Sequence, residues 1–507
     1  MQNYDYIVVG AGTAGCVIAA RLSEDPGAAV LLLEAGAAER TRAMTVPNAW
    51  PENLGSAADW AQVTTEQADA GPAVYPRGKA LGGSSAINAM AHVRGHPAVY
   101  DGWAARGAIG WGFDDLLPYF KRSERAEGRD QALRGTEGPI RVGPAASGRH
   151  PVAEAFIAAL TAAGYPLTDD LSGPRPEGAA WVDLAIADGE RVSSADGYLR
   201  PALGRKNLTV QAGCLVTSAR VRNGRCLGVS YLRDGVATDA SAGEVIVCGG
   251  AIGSPQLLLL SGLGPASHLR DLGIEPVADI PAVGASLQDH PVIMMSYACA
   301  KTLPVSGWNN GEACAALCSE LARPFPDVHL FTILLPLAPA GREPPASGFT
   351  LVAAVVAPDS TGTLRLACAD PRVAPLIDPG FLTDERDLDR LEFGIGVLRR
   401  AGGSAAFDGL GTSEVWPGPD ASTPAAIRAY IRGGVGSYYH PVGTCRMGRG
   451  GDAVVDAMLA VHGIDGLRVA DASVLPTITN AHPNATVLAI AERAADLIRG
   501  DVKGSAR

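Results

Sequence analysis

No stretch of this chain approaches the length of a membrane span. Apolar runs such as Leu257 to Leu260 and Val328 to Leu335 are short and bounded nearby by Pro or Gly, so no membrane insertion is expected. A basic stripe is missing too. Lys and Arg number 42 against 53 Asp and Glu, a formal charge of −11, which argues against a nucleic-acid surface and for small-molecule ligands. The nine cysteines, at 16, 214, 226, 248, 299, 314, 318, 368 and 445, are odd in number and form no C-x-x-C pair. Cys314 and Cys318 are spaced to share a helical face, but no His accompanies them; free buried thiols are expected, with no metal and no disulfide framework. The first strand is under way by Tyr6, which leaves no room ahead of it for a secretion signal, so the expected setting is a reducing, cytoplasmic one.

What is present begins at Tyr4 to Gly36. Tyr6 to Val9 is a β-branched apolar run, and Gly10, Gly12 and Gly15 follow it in G-x-G-x-x-G spacing. Cys16 to Leu22 continues as a helix, and Val30 to Leu33 is a second buried strand ending in Glu34. In this unit the first glycine permits a tight turn, the second lets a pyrophosphate approach the backbone, and the third packs helix on strand. Phosphates would meet the helix N-terminus, and Glu34 could accept from a ribose diol. A carboxylate there would repel a 2′-phosphate, which argues against NADP and leaves NAD and FAD open.

Further along, Gly82, Gly83, Ser84 and Ser85 form a compact turn, with Ala86 to Met90 predicted to begin a helix. Trp103, Trp111, Tyr119 and Phe120 read as core aromatics. Leu208 to Val210, Cys214 to Val221, Leu227 to Leu232 and Glu244 to Cys248 read as strands, with Asn223-Gly224 as a turn. Beyond Pro291 the pattern weakens, although Leu364 to Leu366 reads as a strand and Asp387 to Arg400 as an amphipathic helix.

Four segments, RGKALGGSSAIN, GGAIGSPQLLLLSGLG, VGASLQDHP and YHPVGTCRMG, appear in the order and form of the signatures of the glucose–methanol–choline oxidoreductases. The chain resembles this family of alcohol-oxidising flavoenzymes from its N-terminus to Asp496. The resemblance implies FAD as cofactor, and an α/β fold with an α+β substrate part. In it a Rossmann-like FAD-binding domain (1–145, 191–290 and 437–507) would join a substrate-binding domain built on an antiparallel sheet (146–190 and 291–436). It further implies that FAD is contacted by Gly10, Gly12, Thr13, Ala14, Gly15, Glu34, Ala35, Gly82, Gly83, Ser84, Asn88, Val216, Asp471, Ala472, Asn484, Ala485 and Thr486. The flavin is expected to be bound non-covalently, because Ile87 stands where some members have a flavin-linking His. Two departures bear on specificity: Thr361-Gly362 lacks the Arg common before that glycine, and Lys301 to Asp327 is short.

His440 is the natural base near neutral pH for an alcohol hydroxyl, though a buried turn histidine is the alternative for an isolated one. Asn484 would hold the substrate oxygen opposite it, or cap the helix that follows from Ala485 to Ile498 with Glu492 on its flank. Other members have a second His there; an amide donates a hydrogen bond but is no strong base. His462 and His482 read as structural. Tyr438 and Tyr439, with Trp308, suit a flat substrate, and no carboxylate-bearing aromatic cage for a quaternary ammonium is visible. The expected reaction is oxidation of a hydroxymethyl group on a small aromatic or heteroaromatic, pyridoxine-like alcohol to the aldehyde, with oxygen reduced to hydrogen peroxide. A dehydrogenase using another electron acceptor, a lyase or decarboxylase of the same fold, and a non-catalytic flavin-binding protein are the alternatives.

Overall fold

The computed structural model describes residues 3–339 and 341–500. The Asn3–Val9 strand pairs in parallel with Val30–Leu33 on one side and with Val236–Val247 on the other. Leu208–Gln211 adds in parallel beyond Val30–Leu33, and Leu467–Val469 adds in parallel to Val236–Val247. Continuous apolar sequence in Val30–Leu33 is explained by burial of all four residues, the pattern of a parallel strand covered on both faces. Val236–Val247 is long enough to serve two partners. Its C-terminal half joins the parallel array, while its N-terminal half pairs antiparallel with Arg225–Arg233, which in turn pairs with Cys214–Arg222. The turn at Asn223 (φ +50°) and Gly224 (φ +73°) has the left-handed residues a two-residue hairpin requires.

A second sheet is antiparallel throughout, in the order Thr412–Trp416, Pro291–Cys299, Gly348–Val355, Val328–Ile333, Ala313–Leu317 and Gly178–Trp181, with Gly436–Ser437 pairing to Pro291–Cys299. Side chains alternate across it as the two-residue period demands. Ile293, Met295, Leu330, Leu351 and Ala353 enter a core with the helices Pro151–Ala162 and Glu385–Gly402. Val292, Phe331, Val352 and Ala354 point the other way, to the side on which Tyr438 packs. Helices therefore close one face, and the other is left as a wall.

Three local expectations change. Ala313–Leu317, with Cys314, is a strand, so Cys314 and Cys318 share no helical face; all nine cysteines are free thiols. Ala-rich sequence reads as helix in isolation, but pairing on both sides overrides it. Ala86 to Met90 does not continue as a helix: a 3-10 turn spans Gly83–Ala86, and Met90 takes a left-handed φ of +60°. Finally, the hairpin of Thr363–Arg365 and Leu376–Asp378, within the span read as substrate-binding, buries Leu364 and Ile377 in the core of the first sheet. Trp103, Trp111 and Phe120 are core residues of that first sheet, as read. Among the described residues no helix is long and apolar enough to cross a membrane, and no cluster of His, Cys, Asp and Glu could hold a metal.

Candidate active site

A cavity of about 450 Å³ runs from the ends of the parallel strands to the wall of the antiparallel sheet. At its first end, Gly10 adopts φ +96° and its N–H donates to the Leu33 carbonyl at 2.7 Å. The glycine spacing is sterically enforced: a Cβ on Gly10 would lie 2.6 Å from the Cys248 carbonyl oxygen, and one on Gly15 would lie 1.8 Å from that of Gly10. The Thr13–Leu22 helix starts after Gly12, which has no side chain to cap it, so its first N–H groups open where Gly12, Thr13 and Ala14 line the cavity. The second glycine turn is pressed onto the first. Gly82 N–H donates to the Ala11 carbonyl at 2.8 Å, and a Cβ on Gly83 would come within 2.6 Å of the Gly12 Cα.

Glu34 closes this end. Its Oε2 accepts from Ala11 N–H and its Oε1 from Gly36 N–H, both at 2.8 Å, and burial still pushes its carboxyl up to about 7. A hydroxyl donor from a ribose would satisfy the remaining lone pairs and favour the ionised form. A second helix, Pro483–Arg499, also begins without a side-chain cap, and its Pro483, Asn484 and Val487 line the same cavity. Two uncapped helix N-termini, a glycine cradle and a buried acid on one cavity form a donor and acceptor set that fits FAD: the first helix for the pyrophosphate, Glu34 for the adenosine ribose, the second helix for the flavin's electron-rich edge.

At the other end, chain pairing builds the chemistry. Gln288 and Val442 exchange backbone hydrogen bonds of 3.1 and 2.9 Å, and Tyr438 N–H donates to the His290 carbonyl at 2.9 Å. Asp289 lies between the two segments. Its Oδ1 accepts from the backbone N–H groups of His290 (2.7 Å) and His440 (2.8 Å), and its Oδ2 from the Tyr75 hydroxyl (2.7 Å) and the Ser437 hydroxyl. Tyr439 is held at φ +66°, a strained value for a bulky residue, with Arg77 Nη2 donating to its carbonyl at 2.6 Å. That kink presents the next residue, His440, to the cavity.

His440 Nδ1 lies 3.0 Å from His290 Nδ1, and His290 Nε2 lies 2.9 Å from the Thr479 carbonyl oxygen. Nε2 of His440 has no hydrogen-bond partner among the described residues. Burial, then the neighbouring His290, His482 and Arg77, hold His440 well below the usual histidine range, so the ring is neutral at pH 7. Tyr438 stacks on Phe331 with centroids 4.5 Å apart and planes 2° from parallel, lies 4.4 Å from the His440 ring, and meets His482 Nε2 through its hydroxyl at 3.0 Å. Asn484 occupies the second position of its helix and is not its cap; His482 precedes the helix instead. Its Oδ1 accepts from Thr13 Oγ1 at 2.9 Å, so the amide Nδ2 is the atom left to donate.

The structure brings Gly10, Gly12, Thr13, Ala14, Glu34, Ala35, Gly83, Ser84, Asn88, Val216, Asp471, Ala472, Asn484, Tyr438, Tyr439 and His440 to the lining of one cavity. Gly15 and Gly82 lie behind it as packing contacts, and Ala485 and Thr486 turn away, with the Thr486 hydroxyl bonded to Tyr100 at 2.8 Å. Glu492 is not flanking but fully buried, paired with Arg21, Arg122 and Tyr198. Trp308 is not at the cavity; its indole N–H donates to the Ser147 carbonyl at 2.9 Å. His462 stays structural against the Gly448 carbonyl, whereas His482, read as structural, lines the cavity. Arg77 and His290 were missed as well. Both lie inside quoted motifs, but only the pairing of 288–290 with 438–442 shows what they touch.

Residues 4–292 and 358–491 match the two parts of the GMC oxidoreductase family. The human mitochondrial choline dehydrogenase is 37% identical over 98% of this chain and 90% of its own length. Among solved structures, pyridoxine 4-oxidase from Mesorbium loti superposes with a TM-score of 0.95 at 33% identity, covering 99% of this chain and 100% of that one. A variant of Aspergillus oryzae RIB40 formate oxidase, made to study FAD modification, superposes with a TM-score of 0.90 at 26% identity over 99% and 98%.

Proposed function

The chain belongs to the GMC oxidoreductase family, and on that premise we propose that it oxidises the hydroxymethyl group of a neutral aromatic or heteroaromatic alcohol to the aldehyde, with oxygen as electron acceptor. The observation that carries this reading is the cavity surface at the His440 end: Val292, Met294, Phe331, Val352 and Tyr438, the last with its ring 4.4 Å from that of His440, offer apolar and aromatic surface, and no carboxylate stands among them. Of the carboxylates that line the cavity, Glu34 is bonded to Ala11 and Gly36, and Asp471 to Gly250, Ser254 and Ser473. A quaternary ammonium such as choline would therefore be desolvated without a counter-charge, whereas a neutral ring would pack on Phe331 and Tyr438 at no such cost.

FAD would be held, without a covalent bond, by the two glycine turns, Glu34, Asp471 and the helix start at Asn484, and when bound would supply the two-electron acceptor for alcohol oxidation. The chain's own residues handle the proton and the oxygen. His440, neutral and with a lone pair at Nε2, takes the hydroxyl proton. The Asn484 Nδ2 group donates to the oxygen as negative charge grows on it, and the positive end of its helix reinforces that donor. Asp289 and Arg77 fix the peptide group that joins Tyr439 to His440, one through its N–H and the other through its carbonyl. The apolar wall keeps water from the developing aldehyde.

The similarity to the human mitochondrial choline dehydrogenase supports a second reading, an alcohol dehydrogenase that passes electrons to an acceptor other than oxygen. An anaerobic absorbance titration of the FAD-loaded protein with pyridoxine, benzyl alcohol and choline, followed by admission of air, decides. Bleaching by an aromatic alcohol and rapid recovery with peroxide is the expected result. Bleaching by choline alone refutes the substrate class, slow recovery in air refutes the oxidase, and no bleaching by any alcohol refutes both.

A further inference from the structure

Three atoms behind His440 fix which of its nitrogens carries hydrogen. The Thr479 carbonyl can only accept, so His290 Nε2, 2.9 Å away, must be the donor of that contact. His290 is fully buried, and burial lowers its affinity for a second proton to a pKa of about 3, leaving its Nδ1 bare. A bare Nδ1 only accepts. The 3.0 Å contact between the two Nδ1 atoms then requires the hydrogen to sit on His440 Nδ1. The opposite arrangement would set two lone pairs face to face, either between the histidines or between His290 and the Thr479 carbonyl. We infer that His290 is a positioning residue which, anchored by the Thr479 carbonyl, holds His440 in the Nδ1–H tautomer and so places its only lone pair at Nε2, facing the substrate. No charge moves within this pair before reaction. When His440 takes the alcohol proton at Nε2, its Nδ1–H to His290 becomes a charge-assisted donor, which stabilises the cation formed.

This inference rests on His440 being the base, and the experiment separates the two. Nitrogen-15 NMR of the histidine-labelled holoenzyme, with His440 assigned by its loss in His440→Ala, reads the tautomer without any turnover. A protonated Nδ1 and bare Nε2 are expected; a protonated Nε2 in the parent protein overturns the inference. The kinetic arm compares His290→Leu, which has no acceptor, with His290→Asn, whose Oδ1 takes the place of Nδ1. With pyridoxine as reductant, the Leu variant should lower the limiting rate of flavin reduction at least tenfold with little change in apparent substrate affinity, and the Asn variant should recover most of it. Equal losses in both variants, or none in the Leu variant, overturn it. If His440→Ala reduces flavin as fast as the parent, the base reading fails instead. Should His290→Leu not fold, the tautomer signal of the parent protein still decides.

Discussion

Replacing Asn484 by Asp separates its two conceivable duties. The carboxylate keeps an oxygen for the Thr13 hydroxyl, 2.9 Å from Oδ1, and places a negative charge in the first turn of Pro483–Arg499, where it suits the helix dipole. Helix stability is therefore preserved. What is lost is the Nδ2–H donor, replaced by an acceptor that repels a developing alkoxide. A hydrogen bond to a charged group is worth about 1.5–3 kcal/mol, so the limiting rate of flavin reduction should fall roughly 10- to 150-fold, with repulsion adding to that. Anaerobic stopped-flow reduction at saturating aromatic alcohol measures it, alongside FAD occupancy and melting temperature. A variant that reduces flavin within twofold of the parent, with FAD bound, refutes the donor role.

Three other perturbations probe the site. Gly83→Ala places a Cβ 2.6 Å from the Gly12 Cα, well inside the ~3.5–4.0 Å of ordinary carbon contact; the two turns must part, and FAD should dissociate at least tenfold more readily in a fluorescence assay. FAD released into the supernatant on acid precipitation is the expected sign of non-covalent binding beside Ile87; flavin retained in the pellet contradicts it. His440 must be neutral to act, and its proton affinity is lowered by burial and by the facing His290, His482, Arg77 and His329, with Tyr438 and Asp289 completing its surroundings. The reduction rate should therefore persist as pH falls through the ordinary histidine value of about 6.5 and be lost only below it. The same depressed histidines bind fewer protons folded than unfolded, so their contribution to stability is complete above that value and declines as pH falls beneath it, visible as a falling melting temperature.

Much of the nucleotide end was legible because its determinants are local. Glycines at 10, 12 and 15 and the acid at 34 act within one strand–helix–strand unit, and their spacing alone states their contacts. The Glu385–Gly402 helix was equally plain from its apolar period. The other end was not local. His290 and His440 are brought together only because Pro291–Cys299 pairs with Gly436–Ser437, and nothing in the QDHP segment by itself says that its histidine would face another. His482 is a loop residue just before the Pro483–Arg499 helix, as read, but nothing local says that the loop faces the cavity and the Tyr438 hydroxyl. Ala313–Leu317 misled for a different reason: it contains no β-branched residue, and its strand state comes wholly from its two partners.

The most direct test of the account is flavin reduction by His440→Ala with the aromatic alcohol that bleaches the parent holoenzyme. Loss of the proton acceptor should slow the limiting rate by about a hundredfold or more, while FAD stays bound at the distant glycine turns. A variant that keeps its FAD and is reduced at the parent rate would contradict the assignment of His440 as the group that takes the proton.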